Sequence, residues 1–174
     1  MVETIKKERI VEYNEEYINL NVIKISDCLN LKLNTEYLLY DGVHLFAGRH
    51  ILFDFIGSPY IKDVDYITSS LEDSVKRAGA EILHSHFHIF GPENGLTGIL
   101  VLKESHASVH TWPESDLMTF DIFMCGLCNP LISFEYLKER LKPKIIRMMF
   151  TRRGNMENVT HPLHQNSNFL SSSE

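Results

Sequence analysis

Several kinds of reactive side chain crowd into one stretch of this chain. Glu104-Ser105-His106-Ala107-Ser108-Val109-His110-Thr111-Trp112-Pro113-Glu114 holds hydroxyls, two imidazoles and two carboxylates, and Cys125 adds a thiol shortly after. A hydroxyl near a base and an oxyanion donor is the equipment of nucleophilic catalysis, and a nearby thiol can supply a proton. A lone Glu-Ser pair is ordinarily a plain serine at a strand end. Its company is what marks this one.

Two further groups invite metal chemistry. Cys125-Gly126-Leu127-Cys128 is half of a zinc or redox pattern, but the only other cysteine is the distant Cys28, and a structural zinc site wants four ligands. His84, His86 and His88 alternate along one strand and share a face, yet no carboxylate or cysteine stands in obvious register to complete a site. No metal is expected.

These residues need a scaffold. The chain has 174 residues, 44% of them hydrophobic, enough for one core and a single main domain. A net charge of −6 argues against a nucleic-acid binder that works by neutralising phosphate. No window of about 18 apolar residues offers a membrane span, and the polar N-terminus lacks the apolar core of a signal peptide. An odd number of cysteines makes no disulfide framework. A reduced, cytoplasmic protein is expected.

Residues 37–40 and 43–46, split by Asp41-Gly42, read as a hairpin. His50–Ile56 reads as a strand ended by Gly57. Val64, Ile67, Leu71, Val75 and Ala78 fall on one helical face, with Asp63 to cap and Gly79 to stop the helix. Strands are expected over Ala80–Phe90, Gly98–Lys103 and Met118–Met124. Asn129 and Pro130 open a second helix that buries Leu131, Phe134, Leu137 and Leu141 and ends at Pro143. A last strand covers Lys144–Thr151. The fold class is α+β: an antiparallel sheet with both helices on one face. Asp121, in an apolar strand, is costly to bury unpaired and reads as structural support. Residues 155–174 are polar and read as a flexible tail.

The run from Glu104 to Glu114, closed by Cys125-Gly126, resembles the pyruvoyl-forming motif of the prokaryotic S-adenosylmethionine decarboxylases. Gly95-Leu96-Thr97-Gly98, Ser85-His86-Phe87-His88-Ile89-Phe90, Gly48-Arg49-His50 and Asn129-Pro130 fit the same family, which carries its histidine run without metal. The resemblance covers about His50 to Thr151, within a decarboxylase domain of residues 49–154. It implies that Ser105 is a precursor. Its hydroxyl attacks the Glu104 carbonyl, an N-to-O acyl shift gives an ester, and elimination releases residues 1–104. The dehydroalanine left at residue 105 then hydrolyses to a pyruvoyl cofactor.

By the same resemblance His110 is the base for elimination, and Thr97 stands where the family usually has a serine that stabilises the acyl-shift intermediate. Threonine offers the same hydrogen bond with a stiffer χ1. His110 lies at an odd offset from Ser105, on the opposite side of an ideal strand, so a bulge after His106 is expected. Cys125 is implied as the acid that reprotonates the substrate α-carbon, Phe90 as the aromatic stacked on adenine, and Glu114 as the acceptor for both ribose hydroxyls. The pyruvoyl carbonyl would form a Schiff base with the substrate and act as its electron sink. With S-adenosylmethionine the product is the aminopropyl donor of spermidine synthesis. The implied fold is an α/β sandwich with sites near a two-fold dimer interface.

Three further features depart from the family. Ser115-Asp116-Leu117-Met118 replaces a glycine- and tyrosine-containing run beside Glu114. The loop between Phe90 and Thr97 is one residue longer than usual. Residues 1–48 form an N-terminal extension. The first and last keep open a pyruvoyl-dependent ornithine or arginine decarboxylase. Thr97 alone keeps open an unprocessed regulatory homologue.

Overall fold

The computed structural model describes residues 11–12, 32–35, 38–41 and 44–155. Cys28, Tyr37 and Val43 of the expected hairpin strands, Gly42 of its turn and residues 156–174 of the expected tail lie outside them. The strands are β1 (Val11–Glu12), β2 (Lys32–Thr35), β3 (Leu38–Tyr40), β4 (Leu45–Phe46), β5 (Gly48–Ile56), β6 (Ile82–Phe90), β7 (Gly95–Leu102), β8 (Ser105–Trp112), β9 (Leu117–Cys125) and β10 (Ile145–Arg153). The helices among the described residues are α1 (Val64–Arg77) and α2 (Pro130–Leu141).

Both helices start and stop where their sequence dictates. The Asp63 carboxylate accepts from the Tyr66 amide and the Asn129 side chain from the Leu131 amide, each satisfying an orphan donor of a first turn. Ala78 and Gly79 close α1, and Lys142 closes α2 just before Pro143.

Seven strands form one sheet in the order β1-β10-β5-β9-β8-β7-β6, while β2, β3 and β4 form a small second sheet. Every pair in the large sheet is antiparallel except β1 with β10. β1, from the N-terminal extension, thus adds a strand to what would otherwise be the β10 edge. Such cover blunts an exposed row of backbone donors and acceptors.

Alternation along each strand splits the sheet into two unlike faces. One face carries Ile51, Phe53, Phe55, Leu100, Val109, Phe120, Ile122 and Met148, packed into a single buried cluster with Ile67, Leu71 and Val75 of α1 and Leu131, Phe134 and Leu137 of α2. Each such fully buried large side chain stabilises the fold by about 1.5–3 kcal/mol. Ser133 donates to the Ser74 carbonyl at 3.0 Å and ties the helices together. The expected α+β sheet with both helices on one face is therefore present. Among the described residues the other face carries no helix, and it presents His50, His106, His110, Thr97, Asp121 and Phe123.

β5, β7, β9 and β10 run slightly longer than read from sequence, chiefly β7, which begins at Gly95 rather than Gly98, whereas β6 begins at Ile82 rather than Ala80. Leu96 is buried on the helix-covered face and extends the alternation backwards. The expected bulge after His106 is absent. β8 pairs without a break from Leu102↔Ser105 to Thr97↔His110 on one side and from Ser105↔Met124 to Trp112↔Leu117 on the other. β8 is an interior strand, so an inserted residue would break ladders on both flanks. The irregularity falls instead on the backbone of Ser105 itself.

Candidate active site

Lys103 and Glu104 are the whole connection between β7 and β8. Two-residue hairpin turns favour positive φ inside the turn, which glycine or asparagine provides. This turn has neither, and the positive φ, 144°, falls on Ser105. For a residue with a Cβ that region is sparsely populated and costs on the order of 1–3 kcal/mol. Backbone strain therefore sits at the Glu104–Ser105 junction. The Cys125 amide donates to the Glu104 carbonyl oxygen at 3.0 Å, an arrangement that polarises this carbonyl toward attack and stabilises an oxyanion formed there.

Cys125 ends β9 and is held from two sides. Gly48 lies opposite it on β5, where an added Cβ would come within 2.7 Å of the Met124 carbonyl oxygen. The buried Arg49 guanidinium donates to the Cys128 carbonyl at 2.8 Å and fixes the loop beyond Cys125. Burial pushes the Cys125 thiol up, and the Glu104 carboxylate adds to the shift. The group thus keeps its proton at neutral pH, the state an acid must start from.

Cys128 is pushed up to about 11, by burial first and then by Glu104 and Cys125. Its folded-state pKa lies above the unfolded one, so its contribution to stability is complete below the unfolded pKa and lost as pH rises toward the folded value. From about pH 8 to pH 11, wild type should lose about 2 kcal/mol more folding stability than Cys128→Ala. Denaturant melts across that range measure the difference, and parallel slopes would disprove it.

Thr97, His110, Phe90 and Glu114 gather at the other end of β7 and β8. Thr97 and His110 stand directly opposite each other, with Thr97 Oγ1 3.1 Å from His110 Nδ1. Both line a cavity of about 430 Å³ whose wall also includes Phe90, Trp112 and Glu114. Phe90 is 53% and Trp112 42% exposed, so two aromatic surfaces face a ligand without rearrangement. Glu114 sits in the short 3₁₀ turn Pro113–Ser115, and Asp116 follows in a left-handed conformation that returns the chain into β9.

The sequence-derived candidates thus fall into two groups. Glu104, Ser105 and Cys125 lie at one end of β8; Phe90, Thr97, His110 and Glu114 lie at the other. Ser105 and His110 are five strand positions apart, about 17 Å along a regular strand.

Trp112 had no role assigned from sequence, although its even spacing from His110 places it on the same face. Asp121 does more than avoid being unpaired: its Oδ1 lies 2.8 Å from His50 Nε2 and 3.2 Å from His106 Nε2. His84, His86 and His88 lie on β6 at the sheet edge, all exposed, opposite Val101, Ile99 and Thr97. Cys125 and Cys128 are free thiols. Among the described residues no helix is long and apolar enough to cross a membrane.

A two-helix α+β layer with a face of imidazoles, carboxylate and thiol has close counterparts among known proteins. The model of the S-adenosylmethionine decarboxylase family matches residues 49–154. The S-adenosylmethionine decarboxylase proenzyme of Persephonella marina is 39% identical over 126 residues, spanning 71% of this chain and 90% of that relative. The proenzyme of Clostridium tetani is 37% identical over 113 residues, 63% of this chain and 89% of the relative. The crystal structure of the adenosylmethionine decarboxylase from Aquifex aeolicus superposes with a TM-score of 0.56 at 38% identity, covering 62% of this chain and 90% of that one. The chain belongs to the S-adenosylmethionine decarboxylase family.

Proposed function

We propose that this chain is a self-processing S-adenosylmethionine decarboxylase that breaks its backbone between Glu104 and Ser105. The observation that carries the reading is the coincidence of a positive φ at Ser105 with an amide donor on the Glu104 carbonyl. Strain raises the energy of the intact bond, and the donor lowers that of the oxyanion formed when the hydroxyl attacks. The relatives' description as proenzymes agrees. A pyruvoyl carbonyl at residue 105 supplies an electron sink for decarboxylation. Cys125, protonated and beside Ser105, delivers a proton to the substrate α-carbon.

The two groups of residues, about 17 Å apart on one strand, favour a two-fold pair of chains. A two-fold axis through the middle of the His110-bearing sheet face would lay Cys125 and the Glu104–Ser105 junction of one copy against Thr97, His110, Phe90 and Glu114 of the other, twice. The positive φ at the strand end turns Ser105 out of the alternation that would otherwise aim it at the helices. Such an isologous contact uses the same patch on both copies and covers Ile99 and Val101, which are 43% and 41% exposed. His110, its ring held by Thr97, then serves as the base that assists elimination at the partner's scissile bond.

Phe90, Trp112 and Glu114 fit a substrate with an aromatic base and a diol. Ornithine and arginine have neither and would leave these surfaces idle. The Thr97 hydroxyl lies 3.1 Å from His110 Nδ1, a contact that favours the processing role over an unprocessed regulatory homologue. Carbon dioxide release from carboxyl-labelled S-adenosylmethionine, ornithine and arginine tests the substrate. Release from S-adenosylmethionine alone is expected; release only from a basic amino acid overturns the assignment.

A further inference from the structure

Between the two groups of candidate catalytic residues, His50, His106 and Asp121 converge on the helix-free face from the adjacent strands β5, β8 and β9. His50 and His106 stand opposite Phe123 from its two sides, and Asp121 precedes Phe123 by two residues on the same face. Asp121 Oδ1 is 2.8 Å from His50 Nε2 and 3.2 Å from His106 Nε2, and one ligand atom from each residue lies within 4.8 Å of the other two. Both rings turn the same nitrogen to one oxygen. Side-chain exposures of 11% for His50, 33% for Asp121 and 37% for His106 leave the convergence point walled on one side and open on the other.

Two imidazole nitrogens and a carboxylate oxygen are a donor set for borderline divalent ions, with the remaining coordination positions left to water. Magnesium and calcium prefer oxygen alone. Strand spacing and register hold all three donors in place before any ion arrives. This cluster is separate from the Cys125/Cys128 pair and from the histidines of β6, whose successive side chains are about 7 Å apart on an exposed strand. We infer that His50, His106 and Asp121 form a binding site for one divalent transition-metal ion of the zinc class. Ligation ties β5, β9 and β8 together one residue from the Glu104–Ser105 bond. The inference stands on these three residues and does not depend on substrate or on pairing of chains.

Equilibrium dialysis of the tag-free full-length chain against zinc chloride, followed by metal quantification, tests it. One zinc per chain is expected. Asp121→Asn and His106→Gln should each weaken binding by more than about tenfold, since even groups that only orient a metal ligand are worth 10–100-fold. The triple variant His84→Ala/His86→Ala/His88→Ala should still bind one zinc. The cobalt form should show visible ligand-field bands without a thiolate charge-transfer band, which separates this site from Cys125 and Cys128. Thermal unfolding of each variant without metal verifies that it folds; His106→Ala replaces any that does not. No zinc on the wild type, binding that survives both ligand substitutions, or loss in the triple variant would each overturn the site.

Discussion

Ser105→Ala is expected to leave the chain as a single uncut species near 20.1 kDa, while wild type yields fragments 1–104 and 105–174. The hydroxyl is the only atom group at residue 105 able to attack the Glu104 carbonyl, and alanine leaves the surrounding fold unchanged. Decarboxylation should fall by at least about a thousandfold, because removing the covalent participant leaves only binding and polarisation. The thermal midpoint should barely move, as Ser105 is half-buried and contributes little packing. Intact mass spectrometry after long incubation reads the outcome directly. Continued cleavage at the same bond in the alanine variant would remove Ser105 from the mechanism.

The second large effect concerns pairs of chains. His110→Ala and Cys125→Ser should each be inactive alone. Coexpressed, they should recover about one quarter of wild-type activity, since half of randomly formed two-fold pairs are mixed and each mixed pair holds one intact site of two. The intact site joins Cys125 and Ser105 of the His110→Ala chain to Thr97 and His110 of the other. Differently tagged chains allow mixed pairs to be isolated and assayed. If mixed pairs form and stay inactive, both residues must act within one chain, and the separation along β8 would have to be bridged some other way.

Much of the scaffold was legible because it is written in local terms. Asp63 and Asn129 announce their helices by capping chemistry, and the apolar spacing of Ile67, Leu71 and Val75 or of Leu131, Phe134 and Leu137 identifies the buried face without any partner being known. Trp112 was visible as a same-face neighbour of His110 but carried no pattern of its own. The His50–Asp121–His106 cluster was not legible. Its members are far apart in sequence and meet only because β5 and β8 flank β9 in a particular register.

The amino-acid sequence by itself determined the chemistry on offer: a hydroxyl after a carbonyl at Glu104–Ser105, a thiol at Cys125, an imidazole at His110 and the alternation that gives the sheet one face for helices and one for reactive groups. These are properties of residue type and short period, and they do not wait for the fold. The tertiary structure alone decided where along β8 each group stands. An unbroken interior strand forbids the bulge that would have drawn His110 toward Ser105, so the irregularity becomes strain at Ser105 and the reactive residues divide between two ends. Register is set by hydrogen bonds to neighbouring strands across the whole sheet, and no short window of sequence contains them.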